Sequence, residues 1–151
     1  AVLPEGQGLW PALWMLGTKF NAVGWPACGE IDIMELVGNQ PDRVHGTVRY
    51  GTTASTRQQD GASRALSSGA KFSEEFHVFS LVWENDKIQW LLNDVVYHEF
   101  TRADVGGFPY PFNDNFFAIF NVAVGGDWPG SPNSSTVFPQ RMIVDYIRYF
   151  Q

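Results

Sequence analysis

Gly29-Glu30-Ile31-Asp32-Ile33-Met34-Glu35-Leu36 places three carboxylates within six residues of an otherwise apolar run. Acidic residues are poor strand formers, and three together repel one another, so the run needs a polar place to put them. In an extended chain alternate side chains share a face. Glu30 and Asp32 therefore point one way, Ile31 and Ile33 the other. Strict alternation would then set Met34 among the carboxylates and turn Glu35 into the core, where a lone carboxylate is costly. One extra residue, a β-bulge between Asp32 and Glu35, returns Glu35 to the acidic face. The stretch predicts a kinked strand with Glu30, Asp32 and Glu35 along one side of a cleft.

The surrounding chain reads as β-structure. Runs rich in β-branched and aromatic residues, bounded by Gly, Pro or Asn, predict strands near 8–16, 29–37, 43–50, 76–84, 87–92, 95–100, 116–124 and 141–150. Asn93-Asp94 suits a tight hairpin, since both residues tolerate positive φ. Residues 51–71 are small and polar and read as a long loop; Gly106–Asn115 and Gly125–Pro139 read as irregular. No long segment has helical periodicity and there is no internal repeat, so the expectation is a single all-β domain, a sandwich or jelly roll.

Composition excludes several function classes. The 151 residues carry 10 Lys+Arg against 16 Asp+Glu, a net −6 that repels phosphate backbones, so no nucleic-acid partner is expected. Hydrophobic residues make up 44% and charged ones 17%, which argues against disorder. No run of eighteen apolar residues is present to span a membrane, and Ala1–Gly8 lacks the basic start and apolar stretch of a signal peptide. The single cysteine, Cys28, allows no internal disulfide, and it reads as a packing residue. Six Trp suit either a core or a surface for flat, half-apolar ligands such as sugars.

Two carboxylates flanking a glycosidic bond can act as nucleophile and general acid when roughly 5–5.5 Å apart. Four strand steps of about 3.3 Å put the Glu30 and Glu35 Cα atoms about 13 Å apart, so their side chains must lean together. Asp32, between them, would orient Glu30 by hydrogen bonding and help keep one neighbour protonated by like-charge repulsion. Three carboxylates could instead hold a hard cation. However, calcium sites usually recruit loop carbonyls, and these acids lie on a strand.

Glu30-Ile31-Asp32-Ile33-Met34-Glu35 resembles the signature of glycoside hydrolase family 16 in its bulged form. Gly8-Leu9-Trp10-Pro11-Ala12-Leu13-Trp14-Met15-Leu16 and Gly24-Trp25-Pro26-Ala27-Cys28-Gly29 resemble the segments before that signature in the family's endo-β-1,3-glucanases, or laminarinases. Asn121-Val122-Ala123-Val124-Gly125-Gly126-Asp127-Trp128-Pro129-Gly130 is similar to their later cleft loop, and Phe138-Pro139-Gln140 through Arg148 to their closing strand. The resemblance implies a concanavalin-like β-jelly roll, retaining endo-hydrolysis of β-1,3-glucan without a cofactor in the chemistry, and secretion. It matches Glu30 to the nucleophile, Asp32 to the assisting acid and Glu35 to the acid/base. Trp10, Trp25 and Trp128 match groove aromatics, and Asn121 a hydrogen-bonding groove residue, although strand parity with Phe117 and Ile119 alone would bury it. Trp14, Trp83 and Trp90 lean toward the core.

His45, Thr47 and Arg49 share one strand face, and His45 and Arg49 are taken as substrate-binding residues. Family members commonly carry His where Arg49 stands. Arg cannot act as a base, so Arg49 would bond a sugar hydroxyl or pair with a carboxylate. Asp145 matches a position that supplies a carboxylate to a structural Ca2+. The resemblance also implies that strands precede residue 1, so the chain reads as the C-terminal part of a catalytic domain, with a second chain or fragment as a candidate to complete the sandwich. Asn133-Ser134-Ser135 fits a glycosylation acceptor. A non-catalytic β-glucan-binding module and a same-fold hydrolase of mixed-linkage glucan, agar or carrageenan are the rival readings.

Overall fold

The bulge in the acidic strand organises the larger of two antiparallel sheets. A computed structural model describes residues 1–67 and 69–151. Its strands are Leu9–Gly17 (β1), Glu30–Glu35 (β2), Arg43–Tyr50 (β3), Gln58–Ala65 (β4), Phe79–Glu84 (β5), Lys87–Leu92 (β6), Val95–Thr101 (β7) and Phe116–Val124 (β8). They form a five-stranded sheet in the order β4-β3-β2-β1-β8 and a three-stranded sheet β5-β6-β7. One helical turn, Phe20–Val23 (α1), interrupts the path from β1 to β2. The expected all-β sandwich is the observed fold.

Its core lies between the sheets. Ile31, Val48 and Tyr50 from the larger sheet meet Ile88, Trp90 and Phe100 from the smaller, and Met34 and Val44 pack with Leu3, Leu36, Phe72 and Leu92. Burying these apolar surfaces supplies the main drive to fold. β3 shows the alternation most clearly: Val44, Gly46, Val48 and Tyr50 are buried, while His45, Thr47 and Arg49 are half-buried on the other face. The Asn93-Asp94 connection is the expected tight hairpin, with φ of 48° and 65° and Leu92 paired to Val95.

Two stretches depart from expectation. Residues 51–71 are not a continuous loop: β4 runs through them and pairs along the whole of β3, from Tyr50↔Gln58 to Arg43↔Ala65. Its Gln-Gln-Asp-Gly-Ala-Ser-Arg-Ala sequence has no apolar alternation because it is an edge strand, where backbone pairing suffices and polar side chains blunt the free edge. Ser68, in the same stretch, lies outside the described residues. Conversely, 141–150 forms no sheet strand. A strand needs a partner along its length, and among the described residues only Val2 provides one, at a single bridge to Ile143. Ile147 and Phe150 stay 63% and 82% exposed.

The bulge sits where Trp90 of the smaller sheet reaches the larger one. β2 pairs with β3 as Glu30↔Arg49, Asp32↔Thr47 and Glu35↔His45, leaving Ile33 and Met34 opposite Gly46. The indole N–H of Trp90 donates to the Asp32 carbonyl at 2.8 Å, occupying a backbone acceptor beside the kink. A Cβ on Gly46 would stand 2.3 Å from Trp90 Cδ1, so only glycine lets that indole reach the bulge. Gly46→Ala should therefore cost about 1–3 kcal/mol by overpacking. It should appear as a lower urea midpoint, and a midpoint equal to wild type would refute the close fit.

Candidate functional site

Four strands carry the site on the open face of the larger sheet. β3 needs four steps from Arg49 to His45 to match five on β2 from Glu30 to Glu35; the bulge absorbs the difference, so both glutamates face the same side. Met34 takes the core position instead, and is 1% exposed. The three acids line a cleft of about 340 Å³ together with Trp10 and Trp14 of β1, Trp25, Arg49 of β3, and Asn121 of β8. Ala12, Ala123 and Arg57 complete its walls.

One guanidinium joins the three acids. Arg49 Nη1 donates to Glu30 Oε1 at 2.6 Å and also to Asp32 Oδ2, while Nη2 donates to Glu35 Oε2 at 3.3 Å. The remaining glutamate oxygens are also engaged. Trp25 Nε1 donates to Glu30 Oε2 at 2.8 Å, and Trp10 Nε1 to Glu35 Oε1 at 3.1 Å. Asp32 and Glu35 are only 2% and 4% exposed, so their charges are poorly solvated. Burial, then the charges of Glu35 and Glu30, push the Asp32 carboxyl well above the usual carboxylate range, against the opposing pull of Arg49. Burial likewise raises Glu35, with Arg49 opposing. Burial works against the charge on Arg49, but the three carboxylates more than offset it and hold its pKa above the ordinary arginine value.

The predicted site residues separate into two groups. Glu30, Asp32, Glu35, Trp10, Trp25, Arg49 and Asn121 share the cleft. His45 instead packs beneath Trp128, ring centroids 4.9 Å apart, with its Nε2 buried and unpaired. Burial and the nearby Arg43 lower its pKa, so His45 favours the neutral ring. Trp128 stands edge-on to Trp10 with centroids 5.5 Å apart and extends the aromatic wall. Asp32 was expected to bond Glu30; the link runs through Arg49 instead.

Trp14 corrects its expected place in the core: it lines the cleft and donates from Nε1 to Asn121 Oδ1 at 2.8 Å. The parity shared by Trp10, Trp14 and Ala12 along β1 was the available signal, since β1 has the same open face as β2. Trp90 is buried as expected, and Trp83 is half-buried with its indole N–H on the Phe112 carbonyl. Parity alone misplaced Asn121, because the face it shares with Phe117 and Ile119 is open, and Phe117 is 45% exposed. Sequence gave no sign of Arg57, whose guanidinium lies 5.7 Å from the Trp25 ring centroid. Cys28 is buried and packs, as expected.

Arg49 already supplies the positive charge at the centre of the acidic trio. Asp145 is exposed, and among the described residues no group of three or more His, Cys, Asp or Glu could hold a metal ion.

The chain resembles known proteins along most of its length. Residues 3–148 match the model of the glycosyl hydrolases family 16, and the chain belongs to that family. It is similar to the glucan endo-1,3-beta-glucosidase A1 of Niallia circulans, 38% identical over 100% of this chain and 23% of that protein. Among solved structures, it resembles the endo-beta-1,3-glucanase from Pyrococcus furiosus, with 46% identity and a TM-score of 0.85 over 91% of this chain and 53% of the other. The laminarinase catalytic domain from Thermotoga maritima MSB8 matches at 44% identity and the same TM-score of 0.85, over 91% and 56%. The chain thus spans between about a quarter and just over half the length of these relatives.

The buried Asp32 gives the protein a measurable pH signature. A carboxyl held above its unfolded pKa favours the fold fully below about pH 3.9, and that contribution is lost as pH rises through the folded value. From about pH 4 to about pH 7, the melting temperature of wild type should therefore fall more steeply than that of Asp32→Asn. Parallel melting curves by calorimetry would show that Asp32 carries no such penalty.

Proposed function

We propose that the protein is a retaining endo-β-1,3-glucanase of the laminarinase type, acting by double displacement. Glu30 attacks the anomeric carbon while Glu35 protonates the departing glycosidic oxygen. Glu35 then takes a proton from the water that releases the glycosyl group from Glu30. The charge of Glu30 raises the proton affinity of Glu35, and burial holds Asp32 beside both toward its protonated form. No cofactor enters these steps.

The observation that carries the reading is the pairing of Glu30 and Glu35 in one cleft through a single guanidinium fork. The burial that raises Glu35 suits the residue that must hold a proton near neutral pH. Trp10, Trp14 and Trp25 offer indole faces for the apolar C–H faces of pyranose rings, and Asn121 a polar rim. The relatives named for β-1,3-glucan hydrolysis support that substrate. Secretion is part of the same proposal, since a polymeric substrate is met outside the cell.

Reducing-sugar release from laminarin tests the assignment. Glu30→Gln should fall to background, and Glu35→Gln should lose about 10²–10⁴-fold. Proton NMR of the new reducing ends should show the β-anomer first. Lichenan, agarose and carrageenan assayed alongside define the polysaccharide. Tight laminarin binding without cleavage would instead identify a glucan-binding module.

A further inference from the structure

Arg49 bonds both glutamates, and only its bond to Glu35 opposes the protonation that the proposed reaction needs. Every carboxylate oxygen of Glu30 and Glu35 accepts an N–H bond, from Trp25, Trp10 or Arg49. A protonated carboxyl accepts such N–H bonds more weakly than a carboxylate does, so these contacts favour the ionised form. On Glu35, Oε1 faces the indole of Trp10 and Oε2 faces Arg49 Nη2. The Arg49–Glu35 contact is 3.3 Å, against 2.6 Å for Arg49–Glu30, so the guanidinium grips Glu30 more closely than Glu35. Release from Glu35 alone leaves Arg49 paired with Glu30 and Asp32.

We propose that Arg49 is a positioning residue whose bond to Glu35 favours the ionised carboxylate in the resting cleft, and that an incoming glucan chain releases that bond so that Glu35 takes its proton with substrate bound. This rests on Glu35 being the acid/base. A hydronium ion gives that proton and becomes water, the carboxylate becoming the carboxylic acid. The proton then passes to the leaving oxygen as its bond to the anomeric carbon breaks. Other charged groups around Glu35 do not replace this control. The charge of Glu30 on β2 opposes ionisation, burial holds Asp32 toward its neutral form, and His45 on β3, beside Arg43, favours neutrality. Arg57 lies over Trp25 on the cleft wall, and β1 and β8 bring no ionisable side chain. A histidine in place of Arg49 would lose its charge above about pH 6.5, so the arginine sustains the clamp where histidine cannot.

The test is the pH dependence of laminarin hydrolysis by the full chain. For wild type, the alkaline limb of kcat/KM, which reports the free enzyme, should lie below that of kcat, which reports the complex. In Arg49→Met the kcat/KM limb should move up by about 1–3 pH units and meet the kcat limb. Arg49→Lys, which keeps a cation, should restore the wild-type limb. A residue that merely braces the cleft would lower the rate in both variants with the limb unmoved, and that result overturns the inference. Should Arg49→Met fail to fold by circular dichroism, Arg49→His decides the matter through the same upward shift. A carboxyl ¹³C NMR titration of Glu35 in wild type and Arg49→His reads the coupling without turnover, and identical titrations would also overturn it. Full activity in Glu30→Gln would sink the catalytic reading itself. A fixed limb with Glu30→Gln inactive would sink only the role of Arg49.

Discussion

The indole N–H of Trp90 on the Asp32 carbonyl fastens the one irregularity on which the site depends. A bulge in a strand costs ladder hydrogen bonds and survives only where the surroundings favour it. Here Gly46 opens the opposing strand so that the smaller sheet can reach through the core to the kink. The bulge then performs two tasks at once. It sends Met34 into the core and Glu35 out to the cleft, a division that strict alternation would reverse. Packing and chemistry are therefore tied to the same one residue of extra chain.

Electrostatics extends from that kink. Three carboxylates on one face, two of them almost fully buried, would be strongly unfavourable alone. Arg49 answers them from the neighbouring strand because the register sets it directly opposite Glu30, and its side chain is long enough to reach Asp32 and Glu35. The two glutamates each receive an indole N–H as well, so aromatic residues on the cleft wall both hold the acids and present flat surfaces. The site is thus a charged centre inside an apolar frame, in which small changes of contact alter protonation.

Much of the fold was legible because its signals are local. Hydrophobic alternation located β1, β2, β3 and β5 through β8, and the Asn93-Asp94 turn followed from residues that tolerate positive φ. β4 was illegible because an edge strand can be held by backbone pairing to β3 without an apolar pattern of its own. The 141–150 segment misled for the opposite reason: its side chains suit a strand, yet a strand exists only beside a partner. Trp14 and Asn121 were ambiguous since alternation separates two faces without saying which of them is covered.

The amino-acid order by itself determined that Glu30, Asp32 and Glu35 could share a face only through a bulge, because strand periodicity is a local property of the backbone. It also carried the family resemblance of the flanking segments. Tertiary structure alone decided that Arg49 would close on all three acids, that His45 would lie under Trp128 rather than in the cleft, and that Trp14 would face outward. Those outcomes depend on which strands become neighbours and which sheet face is covered, and such long-range pairings leave no periodic mark in the chain.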